Sequence, residues 1–177
     1  MPPLSLATAI DGLPSEPYAG FAYRHVSEAR TPLSAAGART QGGRWNPPDS
    51  FATLYLTQES ETAVAEFFRM AKRIGRTASD FLPRRVYRYE VELVDALDLR
   101  PADGRAALGL ADAQLRGDDL GPCQAIGETA HYLGREGILA PSAAGAGNVL
   151  AVFSDRLQAG SFVRDVDFEL WTAPPMT

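Results

Sequence analysis

The spacing of hydrophobic and polar positions changes period several times along the chain. Phe21-Ala22-Tyr23-Arg24-His25-Val26 predicts a short strand, and Ala52-Thr53-Leu54-Tyr55-Leu56-Thr57 a second. A Gly/Pro/Ser-rich connection runs between them. From Glu61 to Ile74 the period becomes helical, with Ala63, Phe67, Met70 and Ile74 on one face, Ser60 as cap and Gly75 as stop. Val86 to Leu93 then alternates: Tyr87, Tyr89, Val91 and Leu93 face one way, Arg88, Glu90 and Glu92 the other. That is the pattern of a half-buried antiparallel strand, and Asp98-Leu99 extends the sheet before Pro101. A helix is expected from Pro122, whose missing N–H is harmless at a first helical position, to Arg135. Gly137-Ile138-Leu139-Ala140, Asn148 to Phe153 and Val166 to Trp171 complete the predicted strands.

Strands outnumber helices and do not alternate regularly with them, which predicts an α+β domain rather than a doubly wound parallel sheet. Gly145-Ala146-Gly147 lies between two strands with no helix after it, so it is not a Rossmann phosphate loop. The 177 residues suffice for one domain with a sizeable core. The first stretch, MPPLSLATAIDGLPSEP, is expected as an N-terminal arm over 1–17, extended on the domain or disordered, with the domain itself over 18–177.

Composition removes several function classes. Hydrophobic residues at 45% and charged residues at 22% are those of an ordinary globular protein, and the net charge of −5 argues against general or direct DNA binding while leaving room for a local basic site. The single cysteine, Cys123, excludes an internal disulfide framework and suits a reducing cytoplasm. His25 and His131 lie far apart with no Cys/His cluster, which argues against zinc. No apolar run approaches the roughly 18 residues of a membrane span, and the N-terminus lacks the basic start of a signal peptide.

Four side chains stand out as candidate chemistry. Arg24 lies in an apolar strand, and Arg44 in the loop Gln41-Gly42-Gly43-Arg44-Trp45-Asn46-Pro47-Pro48, which Gly-Gly and Pro-Pro hold out of regular structure. Glu66 sits in a helix between Ala65 and Phe67, and Ser142 follows Pro141 at a strand end. Each has an ordinary reading too: a wet strand face, a solvated turn, an exposed helix residue, a Ser-initiated turn. Trp45 reads as a core anchor, Cys123 as a small apolar residue, and His25, opposite Arg24 in its strand, as structural.

Taken together these residues resemble the RES domain, a family named for an arginine, a glutamate and a serine. The matching positions are Tyr23-Arg24, Gly42-Gly43-Arg44-Trp45-Asn46-Pro47, Leu54-Tyr55-Leu56, Ala65-Glu66, Pro141-Ser142-Ala143, Asn148 and Val152-Phe153. Gly117-Asp118-Asp119 and Cys123-Gln124-Ala125-Ile126-Gly127 are in the same style, so the resemblance runs from Tyr18 to Trp171. It implies an ADP-ribosyltransferase-like fold with a mainly antiparallel, split β-sheet core and flanking helices. It also implies a toxin of a bacterial type II toxin–antitoxin pair that consumes NAD+ as substrate, without a metal, by hydrolysis or phosphorolysis. The implied partner is an Xre-like helix-turn-helix antitoxin, with self-association allowed within the complex. Transfer of ADP-ribose to a host protein acceptor and a non-catalytic nucleotide-binding module are the alternatives.

The residue types suit that chemistry. Arg24 and Arg44 offer planar bidentate donors to a diphosphate, and Gly42 and Gly43 allow close backbone approach. Tyr55, with Tyr23 in the same motif, supplies aromatic surface for nicotinamide. Glu66 would hold a ribose hydroxyl and stabilise an oxocarbenium-like transition state. Ser142 and Asn148 would hydrogen-bond the ribose or the carboxamide.

Overall fold

The computed structural model describes residues 4–177. Its strands fall into two antiparallel groups: β1 (Ser15–Ser27), β3 (Arg84–Asp98) and β6 (Phe162–Trp171), and β2 (Thr53–Thr57), β4 (Gly137–Pro141) and β5 (Asn148–Phe153). The sheet order is β1-β2-β5-β4-β3-β6, with β1 also paired to β3. Two narrow joints link the groups. A short parallel ladder sets Ala96 to Asp98 of β3 against Gly137 to Leu139 of β4, and β1 meets β2 only at Tyr23 opposite Thr57. Five strands therefore close on themselves along a split seam. The alternation of apolar residues fills the inside of this ring, where Ala22, Val26, Leu54, Leu56, Tyr89, Leu93, Leu139, Leu150 and Val152 form one buried cluster.

The helices are α1 (Leu4–Asp11), α2 (Ala36–Gln41), α3 (Ser60–Ile74), α4 (Ala102–Ala107), α5 (Asp112–Arg116) and α6 (Gly121–Tyr132). Outside β4 and β5, Ile10 of α1, Leu115 of α5 and Cys123, Ile126 and Ala130 of α6 bury against Ile138, Ala140, Ala151 and Phe153. α3 packs on β1 and β2 across the seam, and its Phe67 joins Val86 and Trp171 in a third cluster. The mixed α+β architecture is the one expected.

Several boundaries differ from the sequence reading; β6, for one, begins at Phe162, four residues before Val166, and α4 and α5 fill a stretch with no expected element. The N-terminal arm is not extended where it is described: Leu4–Asp11 is a helix, and β1 begins at Ser15; residues 1–3 lie outside the described residues. Leu6, Ile10 and Leu13 recur at helical spacing and reach the core, and Arg135 Nη2 donates to the Ile10 and Leu13 carbonyls at 3.2 and 2.9 Å. The helix from Gly121 stops at Tyr132 because Gly134 takes a left-handed φ of 85°. The Gly/Pro/Ser connection contains the short helix α2. In α3, Ala63 and Phe67 are fully buried, but Ile74, at the last position before the Gly75 cap, is 58% exposed.

The Gly-Gly-Arg-Trp-Asn-Pro loop is fixed from several sides. Trp45 is 1% exposed, in the core as expected. Its carbonyl lies over Gly127 of α6, where an added Cβ would stand 1.8 Å from the oxygen. Gln124 Nε2 donates to the Gly43 carbonyl at 2.9 Å. Asn46, fully buried, donates through Nδ2 to the Ala38 carbonyl (2.7 Å) and accepts from Tyr55 Oη at 2.8 Å, while the Trp45 N–H donates to that same hydroxyl at 2.8 Å. The buried Asn46 amide and Tyr55 hydroxyl of the turn thus have partners, as burial requires. Gly127→Ala should cost about 1–3 kcal/mol of stability by forcing a methyl into a backbone contact, read as a lower urea midpoint at unchanged slope.

His25 is structural. Arg84 Nε–H donates to its Nδ1 at 3.0 Å, its ring meets Phe67 edge-on at 5.3 Å, and it stacks on Trp171 at 6.5 Å. Burial, and then the charges of Arg84 and Arg24, depress its pKa to about 3. The unfolded chain, with an ordinary imidazole pKa near 6.5, takes up the proton first, so stability is present above that value and declines as pH falls toward 3. The slope is about 1.4 kcal/mol per pH unit, hence roughly 2 kcal/mol by pH 5. Denaturant titrations at pH 7 and pH 5 should show this loss in the native chain and its absence in His25→Asn, whose Oδ1 can still accept from Arg84.

Candidate active site

The candidate site is built where α3 meets the loop between β4 and β5. The N-terminal turn of α3 anchors that loop. Glu59 Oε2 accepts from Thr62 Oγ1 and from the Asn148 N–H, both at 3.1 Å, and Asn148 Nδ2 donates to Gln58 Oε1 at 2.9 Å. Gly147, at φ 87°, lets the loop lie so close that an added Cβ would meet Thr62 Oγ1 at 1.9 Å. With the loop so held, Ser142 turns toward α3 and donates through Oγ to Glu66 Oε1 at 2.7 Å. The same hydroxyl accepts from the Ala144 N–H at 3.0 Å. Ser142 is fully buried and Glu66 only half-buried, so the serine orients a carboxylate that stays partly open to solvent.

Arginines surround this pair. Arg116 Nη1 donates to the Ser142 carbonyl (2.8 Å) and the Gly145 carbonyl (3.2 Å), and Arg69 Nη2 to the Arg116 carbonyl at 3.5 Å. Arg69 is one helical turn beyond Glu66 on α3. The locked loop presents Arg44, whose Nη2 donates to the Gly117 carbonyl at 3.0 Å. Its Nη1 is buried without a hydrogen-bond acceptor. Burial raises the Cys123 thiol pKa, and the charge of the neighbouring Arg44 opposes that rise. Burial and then the charge of Arg44 lower the Arg69 pKa, while Glu66 pulls the other way. These guanidiniums are bonded to neutral carbonyls, not to carboxylates, so a ligand anion would find charge-assisted donors beside Glu66.

Of the residues proposed from sequence, Glu66, Ser142 and Arg44 belong to this region. Tyr55 and Asn148 support it from behind, Tyr55 by holding the loop through its hydroxyl and Asn148 by tying β5 to Gln58 and Glu59. Burial pushes the Tyr55 pKa well up, with the Trp45 N–H and the Arg44 charge opposing, so it stays a neutral phenol. β1 carries Tyr23 and Arg24 to opposite faces. Tyr23 lines a cleft of about 660 Å³ with Ser60, Glu61 and Val64 of α3 and Arg88 and Asp167 of the neighbouring strands. Arg24 points into the ring and donates to the Pro32 carbonyl at 3.2 Å, an oxygen that also accepts from Tyr89 Oη at 2.7 Å. Burial lowers the Arg24 pKa, Tyr89 opposes the shift, and Arg30 adds like charge. Arg24 is thus held by the Pro32 carbonyl, while the charge of Arg44 acts on Arg69.

Arg69 and Arg116 were missed in the sequence. Arg69 had a signal, the one-turn spacing from Glu66; Arg116 is distant in the chain and had none. Among the described residues, no three His, Cys, Asp or Glu side chains gather in a way that would hold a metal ion, and no helix is long and apolar enough to cross a membrane.

Comparison with known proteins agrees with this geometry. The chain is 34% identical over 157 residues to the NAD(+) phosphorylase MbcT of Mycobacterium tuberculosis, and equally to that of Mycobacterium bovis, spanning 88% of this chain and 84% of each relative. The crystal structure of the M. tuberculosis MbcT–MbcA toxin–antitoxin complex contains a chain that superposes with a TM-score of 0.85 at 31% identity, covering 96% of this chain and 93% of that one. The sequence model of the RES domain matches residues 21–171. This chain is a member of the RES domain family.

Proposed function

We infer that this protein is a toxin of a bacterial type II toxin–antitoxin pair that cleaves the nicotinamide–ribose bond of NAD+, with inorganic phosphate as acceptor. The observation that carries the reading is the half-buried Glu66 carboxylate held by the buried Ser142 hydroxyl at 2.7 Å, with Arg116 on the Ser142 carbonyl and Arg69 one turn along α3. The likeness to an NAD(+) phosphorylase supports the choice of substrate and acceptor.

The chemistry asks little more of the site. Nicotinamide in NAD+ is a cationic pyridinium, so it leaves as a neutral base and needs no general acid. The transition state is oxocarbenium-like, and one fixed carboxylate stabilises the charge developing at the ribose. The bond between the ribose anomeric carbon and the ring nitrogen breaks with its electron pair going to nitrogen. A phosphate oxygen forms the new bond, giving nicotinamide and ADP-ribose phosphorylated at the anomeric position. Hydrogen phosphate dianion is nucleophilic as it stands, so Glu66 need not remove a proton. Arg44 supplies positive charge for the diphosphate that NAD+ brings. The partner in this reading is a cognate antitoxin with an Xre-like helix-turn-helix, and the site of action is the cytoplasm; the antitoxin leaves DNA binding to itself, as the acidic balance of this chain favours.

Glu66→Gln should lower NAD+ turnover by about 10²-fold or more and abolish growth arrest and NAD+ depletion on expression, at unchanged melting temperature. Cells that grow normally with normal NAD+ while holding verified soluble native protein would sink the assignment. Ser142→Ala frees one Glu66 oxygen from a charge-assisted hydrogen bond, so kcat should fall about 10- to 100-fold with the KM for NAD+ much less affected. Steady-state kinetics on the purified chain separate the two constants.

A further inference from the structure

We propose that Arg69, assisted by Arg116, forms the subsite for the acceptor phosphate, so that Arg69 sets the choice between phosphate and water. The proposal rests on the NAD+-cleaving reading above and assigns its second substrate to residues outside the family's named arginine, glutamate and serine.

The geometry is a closed circuit around the carboxylate. Ser142 Oγ holds Glu66 at 2.7 Å, the Ser142 carbonyl holds Arg116 Nη1 at 2.8 Å, the Arg116 carbonyl holds Arg69 Nη2 at 3.5 Å, and α3 returns from Arg69 to Glu66 in one turn. Both guanidiniums are therefore tethered beside the carboxylate that faces the reacting carbon. The Arg69 bond is long and ends on a neutral carbonyl, and Arg116 is exposed to solvent. An incoming oxyanion would exchange these contacts for shorter, charge-assisted ones. Arg69 also stands within electrostatic reach of Arg44 and Arg73, with Glu66 and Asp118 as the opposing charges. Bound phosphate would relieve that crowding.

The acceptor fits this place better than the NAD+ diphosphate does. The acceptor must touch the anomeric carbon, whose ribose Glu66 holds, whereas the diphosphate hangs from the opposite end of the same sugar. Donors one helical turn from the carboxylate therefore meet the acceptor first. Arg44, on the Gly-Gly loop and not on α3, remains for the diphosphate. Water needs no such anchor, so a site that has lost Arg69 should fall back on hydrolysis.

The test is two-substrate kinetics on the full chain, with NAD+ and inorganic phosphate varied independently and products separated as ADP-ribose or its anomeric phosphate. Arg69→Gln should raise the KM for phosphate by about tenfold or more, leave the KM for NAD+ within about twofold, and shift product toward free ADP-ribose. Arg69→Lys should restore part of the phosphate dependence, since it returns charge without the planar fork. Phosphate alone should raise the melting temperature of the native chain and not that of Arg69→Gln, a readout that needs no turnover. An unchanged KM for phosphate in Arg69→Gln, or a parallel rise in the KM for NAD+, would overturn the assignment. NAD+ cleavage by the native chain at a rate independent of phosphate would also overturn it while leaving NAD+ cleavage intact. A native chain with no NAD+ cleavage under any condition would remove the underlying reading as well.

Discussion

A peptide carbonyl resting on a bare α-carbon sets the arrangement of this molecule. The Trp45 oxygen occupies the space that any side chain at position 127 would fill. Because backbone meets backbone there, the loop from Gly42 to Pro47 takes its place from α6 and not from flexible side chains. The remaining locks follow from that approach. Gln124, one turn earlier on α6, reaches the Gly43 carbonyl, and the buried Asn46 amide and Tyr55 hydroxyl complete each other's hydrogen bonds. Buried polar networks of this kind are stabilising only when every member is satisfied. Here the network fixes the loop from which Arg44 reaches the Gly117 carbonyl and acts on Arg69.

The same strategy recurs on the other wall. Gly147 brings the β4–β5 loop onto Thr62, and Glu59 ties down both sides of the contact. Glu66 thereby acquires a fixed rotamer through a buried serine instead of through solvent-exposed contacts. Electrostatic stabilisation of a developing cation depends on a dipole or charge that need not reorganise during the reaction. The residues that hold Glu66 and Arg44 are therefore mostly glycines, small hydroxyls and amides, whose contribution is position.

Much of the scaffold was legible before any coordinates because period-2 and period-3.6 patterns are local properties. The alternation from Val86 to Leu93 survives intact: Tyr87, Tyr89, Val91 and Leu93 are all buried, and Arg88 pairs outward with Asp167. The first helix was not read because two prolines precede it and its apolar residues continue past its end to Leu13. At the site, Glu66 and Ser142 were readable by resemblance, but the direction of Arg24 was not. One residue of strand register decides whether a side chain enters the ring or leaves it, and Arg24 shares its face with Tyr87, Ala22 and Val26. Arg116 was invisible for a different reason: its placement depends on a short helix packing back against the Ser142 loop, a contact between residues far apart in the chain.

Position alone does not explain why the cations are arginines. The chain carries a net charge of −5, yet it crowds Arg44 with Arg69 on one side and Arg24 with Arg30 and Arg84 on the other. Burial and like charge push a basic group toward its neutral form. Arg84 shows the size of the effect, its pKa falling to about 10, first through burial and then through Arg30 and Arg24. A guanidinium starts high enough to stay charged through such a displacement. An ammonium starts about two units lower, and at the Arg84 position the same displacement would bring it toward neutrality. A guanidinium buried among like charges, as Arg84 is beside Arg30 and Arg24, thus keeps its charge where an ammonium would begin to lose it, and an acidic protein can hold local clusters of positive charge by that choice of residue.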